Sequence, residues 1–127
     1  MTTIVNTLPH EVKAQNKSTG EILVYQSSNE FILRCDQQMQ DLPEDQYMDG
    51  VPVASDCKYV LKDFPEALAN LEGNVVLIVS TIMSNCASEV RALMPKCTDV
   101  RIVVPDSGPS MVRKNGQPDY CVRFLQY

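Results

Sequence analysis

Residues 75–113 read VVLIVSTIMSNCASEVRALMPKCTDVRIVVPDSGPSMVR, and the fold turns on how this stretch is divided. Val75 to Val79 is an apolar run with no polar alternation, which is the pattern of a strand buried on both faces. Ser80 or Thr81 can then cap a helix by accepting backbone N–H groups. Ile82, Cys86, Val90 and Leu93 recur at helical spacing with Met83 and Met94 alongside, so one long helix is expected over about 81–94. Pro95 stops it by removing a donor and restricting Met94. Val100 to Val104 is a second strand, either parallel after a compact crossover or paired antiparallel. PDSGP comes next as a turn, with Asp106 and Ser107 able to hydrogen-bond their own backbone.

Outward from this stretch the chain reads as strands and hairpins. Thr2 to Val5 is rich in β-formers and runs into a turn at Pro9. Glu11 to Gln15, NKSTG, and Glu21 to Gln26 form a hairpin pattern, and Phe31 to Cys35 is a further strand. Arg34 in that apolar setting faces water, a carboxylate or a ligand phosphate, because burying it unpaired is costly. Residues 36–50, DQQMQDLPEDQYMDG, suggest a long exposed loop or a short irregular helix. Val51 to Val60 supplies one or two strands, and FPEALANLEG a short helical turn with Pro65 at its start and Gly73 at its end. Lys114-Asn115-Gly116-Gln117 is a strong hairpin signal, and Tyr120 to Leu125 a closing strand. The expectation is therefore α+β, a mostly antiparallel sheet built from hairpins with one long helix and a short helical turn packed on it.

Composition narrows the function. The 127 residues are 44% hydrophobic and 21% charged, which suits one globular domain. No apolar run approaches membrane-spanning length, and no secretory leader pattern opens the chain. Five cysteines without a CxxC pair read as reduced, half-buried thiols rather than a disulfide framework. With His10 the sole histidine, neither a zinc site nor any other cofactor is expected. The net charge of −5 disfavours polymeric nucleic acid. It is unevenly spread: residues 1–90 hold 5 basic and 13 acidic side chains, residues 91–127 hold 6 basic and 3 acidic. A local cationic surface late in the chain suits a small phosphate ligand.

Catalytic patterns are thin. GxSxG and GxxxxGK[ST] are both absent, and no Ser or Cys has an evident base partner. Anion binding fits better. Ser80 and Thr81 stand at a helix start with free N–H groups, and Asn85 lies on the polar side of that helix. Pro105, Asp106, Ser107 and Gly108 form a turn that can present more N–H groups. Arg113 and Arg123 could offer forked donors to phosphate oxygens.

VNTLPHEV near the start, VLIVST before the helix, and RIVVPDSGPSMVR with NGQ after it resemble a family of small phage and prophage proteins, the Thoeris anti-defence proteins of the first type. Their members read like NLTPH, YIVS and PDTGP. The likeness runs from Ile4 to Arg123 with a divergent middle, and here Thr7 precedes Leu8 where the family has Leu before Thr. The resemblance implies a sponge in the cytoplasm of the infected or lysogenic bacterial cell. It would bind cyclic ADP-ribose isomers, and in some members cyclic di- or trinucleotides, without cleaving them. It also implies a homo-oligomer, a dimer or a hexamer built as a trimer of dimers, with pockets shared between subunits. To the ligand-binding set of Arg34, Ser80, Thr81, Asn85, the Pro105–Gly108 turn, Arg113 and Arg123 it adds Asn6 and His10. Adenine would stack on one of Tyr25, Phe31, Tyr59, Tyr120 or Phe124. Two other readings stand beside it: a phage ring nuclease using His10 or an arginine, and an inhibitor that binds a basic host protein through the acidic 36–50 segment.

Overall fold

A computed structural model describes residues 2–127, and of Ser55, Asp56 and Cys57 the backbone alone. The central apolar run forms strand β6 (Gly73–Ile78), with β1 (Thr2–Asn6) parallel on one side and β7 (Cys97–Pro105) parallel on the other. A last strand, β10 (Phe124–Gln126), pairs antiparallel with β7, giving the order β1-β6-β7-β10. The return after the helical segment is thus the parallel crossover. Around this sheet stand three antiparallel hairpins, and the whole is α+β, as its sequence indicates.

The crossover differs in detail from a single helix over 81–94. A 3-10 turn at Met83–Cys86 runs directly into α2 (Ala87–Ala92), the shorter α1 (Glu66–Ala69) having come earlier in the chain. Ser80 does cap it, its Oγ accepting the Met83 N–H at 3.1 Å. A 3-10 turn takes three residues where an α-turn takes 3.6, and this shifts the phase of the apolar stripe. Met83, Cys86, Val90 and Met94 are buried, while Ile82 and Leu93, expected on that stripe, are 51% and 44% exposed.

The hairpins obey turn chemistry. Strands β2 (Val12–Gln15) and β3 (Ile22–Tyr25) pair across the NKSTG turn. Strands β8 (Val112–Lys114) and β9 (Gln117–Tyr120) meet at Asn115 and Gly116, whose φ of 53° and 78° are the left-handed pair that this tight turn requires. The closing strand expected over 120–125 is split. Cys121 leaves β9 to bond with β2, its N–H donating to Lys13 O and its carbonyl accepting from Gln15, and β10 begins only at Phe124.

The acidic segment is the largest departure. Instead of a strand over 31–35 and a loop over 36–50, a 3-10 turn at Asn29–Phe31 precedes β4 (Arg34–Asp41), which pairs with β5 (Ala54–Asp63). The hairpin continues through Leu42 N–H to Val53 O at 2.7 Å and a 3-10 turn at Glu44–Gln46. It ends at Asp49-Gly50, with φ of 51° and 79° and Met48 and Val51 bonded to each other both ways. Asp-Gly does here what Asn-Gly does at 115–116, and the cross-strand ladder supplies partners that a polar strand lacks alone.

Two cores flank the sheet. On one face Val75, Leu77, Val79, Ile102 and Val104 pack against Met83, Val90 and Met94 of the crossover and Leu68 of α1, with Cys35, Tyr59 and Leu61 of the β4–β5 hairpin at the margin. On the other, Ile78 and Val103 meet Val12, with Leu8, Tyr25 and Phe124 around them. The rings of Tyr25 and Phe124 meet edge to face at 6.2 Å. Among the described residues no helix is long and apolar enough to cross a membrane.

Candidate functional site at the carboxyl edge of the parallel strands

Because β1, β6 and β7 are parallel, the segments leaving them emerge at one edge of the sheet. These are 7–10, 79–82 and 106–110, and they contain half of the twelve residues singled out from the sequence, with Asn6 and Pro105 at the strand ends just before them. The antiparallel start of β10, with Phe124 opposite Pro105, brings Arg123 to the same edge. Crevices beyond the carboxyl ends of parallel strands are where such sheets usually hold ligands.

At the β1 exit, Asn6 is 4% exposed and its amide is spent inside the chain. Its Nδ2 donates to His10 O and Tyr25 O, both at 2.9 Å, and its Oδ1 accepts from Leu8 N–H at 2.9 Å. Asn6 therefore shapes the loop. Thr7 is also buried; its Oγ1 and N–H donate to Ile78 O at 2.7 and 3.0 Å, and its carbonyl accepts from Leu33 N–H at 3.2 Å. That last bond draws Arg34 toward the edge. His10 is exposed, its Nδ1 2.9 Å from Glu11 O.

At the β6 exit, Ser80 borders a cleft of about 370 Å³ with Arg34, Asp36, Lys62 and Met83. Lys62 lies 3.8 Å from Asp36, and Arg34 stands exposed. Thr81 is exposed, and its carbonyl accepts from Ser84 Oγ at 2.6 Å. The four-residue 3-10 turn separates Thr81 from α2, so the helix dipole is centred past Ser80 and Thr81 rather than on them. Asn85 is exposed on that turn, donates to Ile82 O at 2.9 Å, and lines neither this cleft nor the cavity beside His10.

At the β7 exit, Asp106 organises the loop. Its Oδ1 accepts from Gly108 N–H at 3.1 Å, and its Oδ2 from Ser110 Oγ at 2.9 Å and Arg123 Nε at 2.8 Å. The Gly108 N–H first, then the Ser110 hydroxyl and the Arg123 guanidinium, hold the Asp106 carboxyl below its usual range. Arg113 reaches the same loop, donating to Ser107 O at 3.5 Å. Beside it His10 and Pro105 line a cavity of about 150 Å³ with Met111, Tyr120 and Cys121. Lys13 stands at its rim, 3.9 Å from both Glu11 and Asp119.

The candidate residues thus fall into two lobes, Arg34 with Ser80 on one side, and His10, Pro105 and the Asp106–Arg123 loop with Arg113 on the other. Lys62 joins them although nothing local marks it, because hairpin register places it there. Arg123 also borders a cleft of about 450 Å³ with Gln15 and Lys17. Of the five aromatic candidates, Tyr120 lines the His10 cavity, whereas Tyr25 and Phe124 pack on each other and Phe31 and Tyr59 against the larger core. Cys35, Cys86, Cys97 and Cys121 are free thiols, each pushed up chiefly by burial; the side chain of Cys57 lies outside the described residues. Among the described residues no three His, Cys, Asp or Glu side chains cluster as metal ligands would.

Comparison with family models, curated proteins and solved structures returned no match.

Proposed function

We propose that this chain binds and sequesters a cyclic nucleotide immune signal, a cyclic ADP-ribose isomer in the first instance, in the manner of the Thoeris anti-defence proteins whose motifs it resembles. One observation carries the reading: the three stretches that bear the resemblance leave neighbouring parallel strands at a single edge. Arg34, Arg113 and Arg123 stand at that edge with exposed guanidinium groups, the kind of donor that recognises phosphate oxygens in pairs. Binding without cleavage is favoured by how the polar groups are used. The Asp106 carboxylate is held ionised by three donors, and the Asn6 amide is saturated within the chain. Sequestration at low signal concentration calls for a Kd of about 1 nM, roughly −12 kcal/mol, which favours a ligand spanning both lobes.

Titration calorimetry of the purified chain against a panel of cyclic nucleotides, with heat release and analysis of the ligand afterwards, tests this. The expected result is tight binding with the cyclic molecule recovered intact. Recovery of a linear product would replace the sponge with a nuclease, and no binding across the panel would remove the reading.

A further inference from the structure

Arg34 is a wall of two clefts. One is the Ser80 cleft already described; the other, of about 380 Å³, is lined by Asn29, Ile32, Asp63, Phe64 and Pro65 as well as Arg34. The base of the β4–β5 hairpin builds this division. Arg34 stands opposite Asp63 and Cys35 opposite Leu61, so Lys62 is the extra residue of a bulge. A bulge re-aims the side chains around it, and here Lys62 borders the Ser80 cleft while its neighbour Asp63 borders the other. The 3-10 turn at Asn29–Phe31 and the segment entering α1 supply the rest of the second wall.

The two clefts differ in chemistry. The Ser80 side holds two cations, Arg34 and Lys62, against one carboxylate, Asp36, which lies 3.8 Å from Lys62. The other side offers an apolar surface of Phe64, Ile32 and Pro65, all half-buried. Phe64 also packs against the larger core, which fixes it at the cleft. Beside it the polar groups are unspent. The Asn29 amide and the Asp63 carboxylate have no hydrogen-bond or ion-pair partner among the described residues, and Asp63 forms no ion pair with Arg34 across the ladder.

A nucleotide carries its phosphates and its base on opposite sides of a ribose. Two clefts that share one arginine offer charged donors for the first and an aromatic surface with hydrogen-bonding groups for the second. Size points the same way. The Tyr120 cavity, at about 150 Å³, falls below the roughly 300–1,000 Å³ usual for small-molecule sites, and the Phe64 cleft falls within it.

We propose that the Phe64 cleft is a base subsite that selects adenine over guanine. The base stacks on Phe64. Asn29 donates to N7 and accepts from the 6-amino group, a pairing that guanine cannot match because its O6 and N7 both accept. The Asp63 carboxylate accepts the second amino hydrogen and repels a guanine O6. The phosphates lie across Arg34, toward Lys62 and Ser80. The inference takes its ligand class, a nucleotide, from the function proposed above.

Titration calorimetry of the full chain with ADP and GDP tests it, since these probes carry base and phosphates without the closed ring of the cyclic signal. ADP is expected to bind roughly tenfold tighter than GDP, and Asn29→Ala should remove most of that difference. Phe64→Leu keeps an apolar side chain against the core but loses the ring, and should weaken ADP binding roughly fivefold or more. Phe64→Tyr, which keeps the ring, should hold the wild-type affinity, and a cooperative denaturation transition shows each variant to be folded. No binding of ADP, equal affinity for ADP and GDP, or ADP affinity indifferent to both Asn29→Ala and Phe64→Leu would each overturn the subsite. The cyclic nucleotide panel separates this outcome from the sponge reading. A cyclic signal bound equally by wild type and Phe64→Leu would keep the sponge and remove the subsite, whereas ADP selectivity with no cyclic ligand bound would keep the subsite and remove the sponge.

Discussion

Arg123 and Asp106 hold each other twice: the Arg123 Nε donates to Asp106 Oδ2 at 2.8 Å, and the Asp106 N–H donates to the Arg123 carbonyl at 3.1 Å. The side-chain pair and the backbone pair together join the end of β7 to the start of β10. They also keep the Arg123 guanidinium, though largely exposed, in one orientation at the edge of the sheet.

This pairing sets the sign of the pH effect. The folded Asp106 carboxyl lies below its usual 3.8, so it stabilises the fold above that value, and the contribution is lost as pH falls through the lower, folded value. Asp106→Asn should therefore be less stable than wild type near neutral pH, and the gap should shrink below about pH 4. Urea denaturation at a series of pH values measures it; a gap that does not change with pH would show that Asp106 acts through geometry alone.

Asn6 is expected to matter for stability before it matters for binding. Asn6→Ala leaves two carbonyls and one N–H without their partner, at a cost of about 2–3 kcal/mol. Asn6→Asp should destabilise at neutral pH by at least as much, because a carboxylate cannot donate to His10 O and Tyr25 O and is repelled by both. Denaturation midpoints at unchanged m-value are the measurement.

Thr7→Val should cost only about 1 kcal/mol. The variant loses the hydroxyl bond to Ile78 O, but that carbonyl keeps the Thr7 N–H at 3.0 Å and is not orphaned. A loss several times larger in the same denaturation assay would mean that the hydroxyl organises the loop beyond this one bond.

The two lobes make separable predictions about ligand. Arg113→Ala should weaken binding by about 1.5–3 kcal/mol if its guanidinium meets a phosphate, and Arg34→Ala by a similar amount if the ligand spans both lobes. Calorimetry that shows a loss from one variant and none from the other would confine the ligand to a single lobe.

Much of the local structure was legible because local chemistry decides it. The run of five apolar residues ending at Val79 reads as a strand buried on two faces, and β6 is that strand. Asn115-Gly116 reads as a tight hairpin turn, and both residues adopt the left-handed backbone it needs. The Asp49-Gly50 turn carried the same signal, but the polar residues around it read as a loop, since β4 has no apolar alternation to declare it. The crossover was legible as helical and wrong in phase, because three residues per turn and 3.6 per turn differ by most of a position after a single turn.

The candidate site was legible only as pieces. The sequence by itself determined which segments could be strands, where the chain must turn, that Ser80 or Thr81 would cap the helical crossover, and that cationic charge gathers late in the chain. Tertiary structure alone decided that β1, β6 and β7 run parallel, and with it that the loops after Asn6, after Ile78 and after Pro105 share an edge. It decided too that Asn6 spends its amide on His10 and Tyr25 while Arg34, Arg113 and Arg123 stay open to solvent. The reason is physical: turns and caps depend on neighbours in sequence, whereas the bond between Thr7 and Ile78, 71 residues apart, depends on which buried faces the whole chain must cover at once.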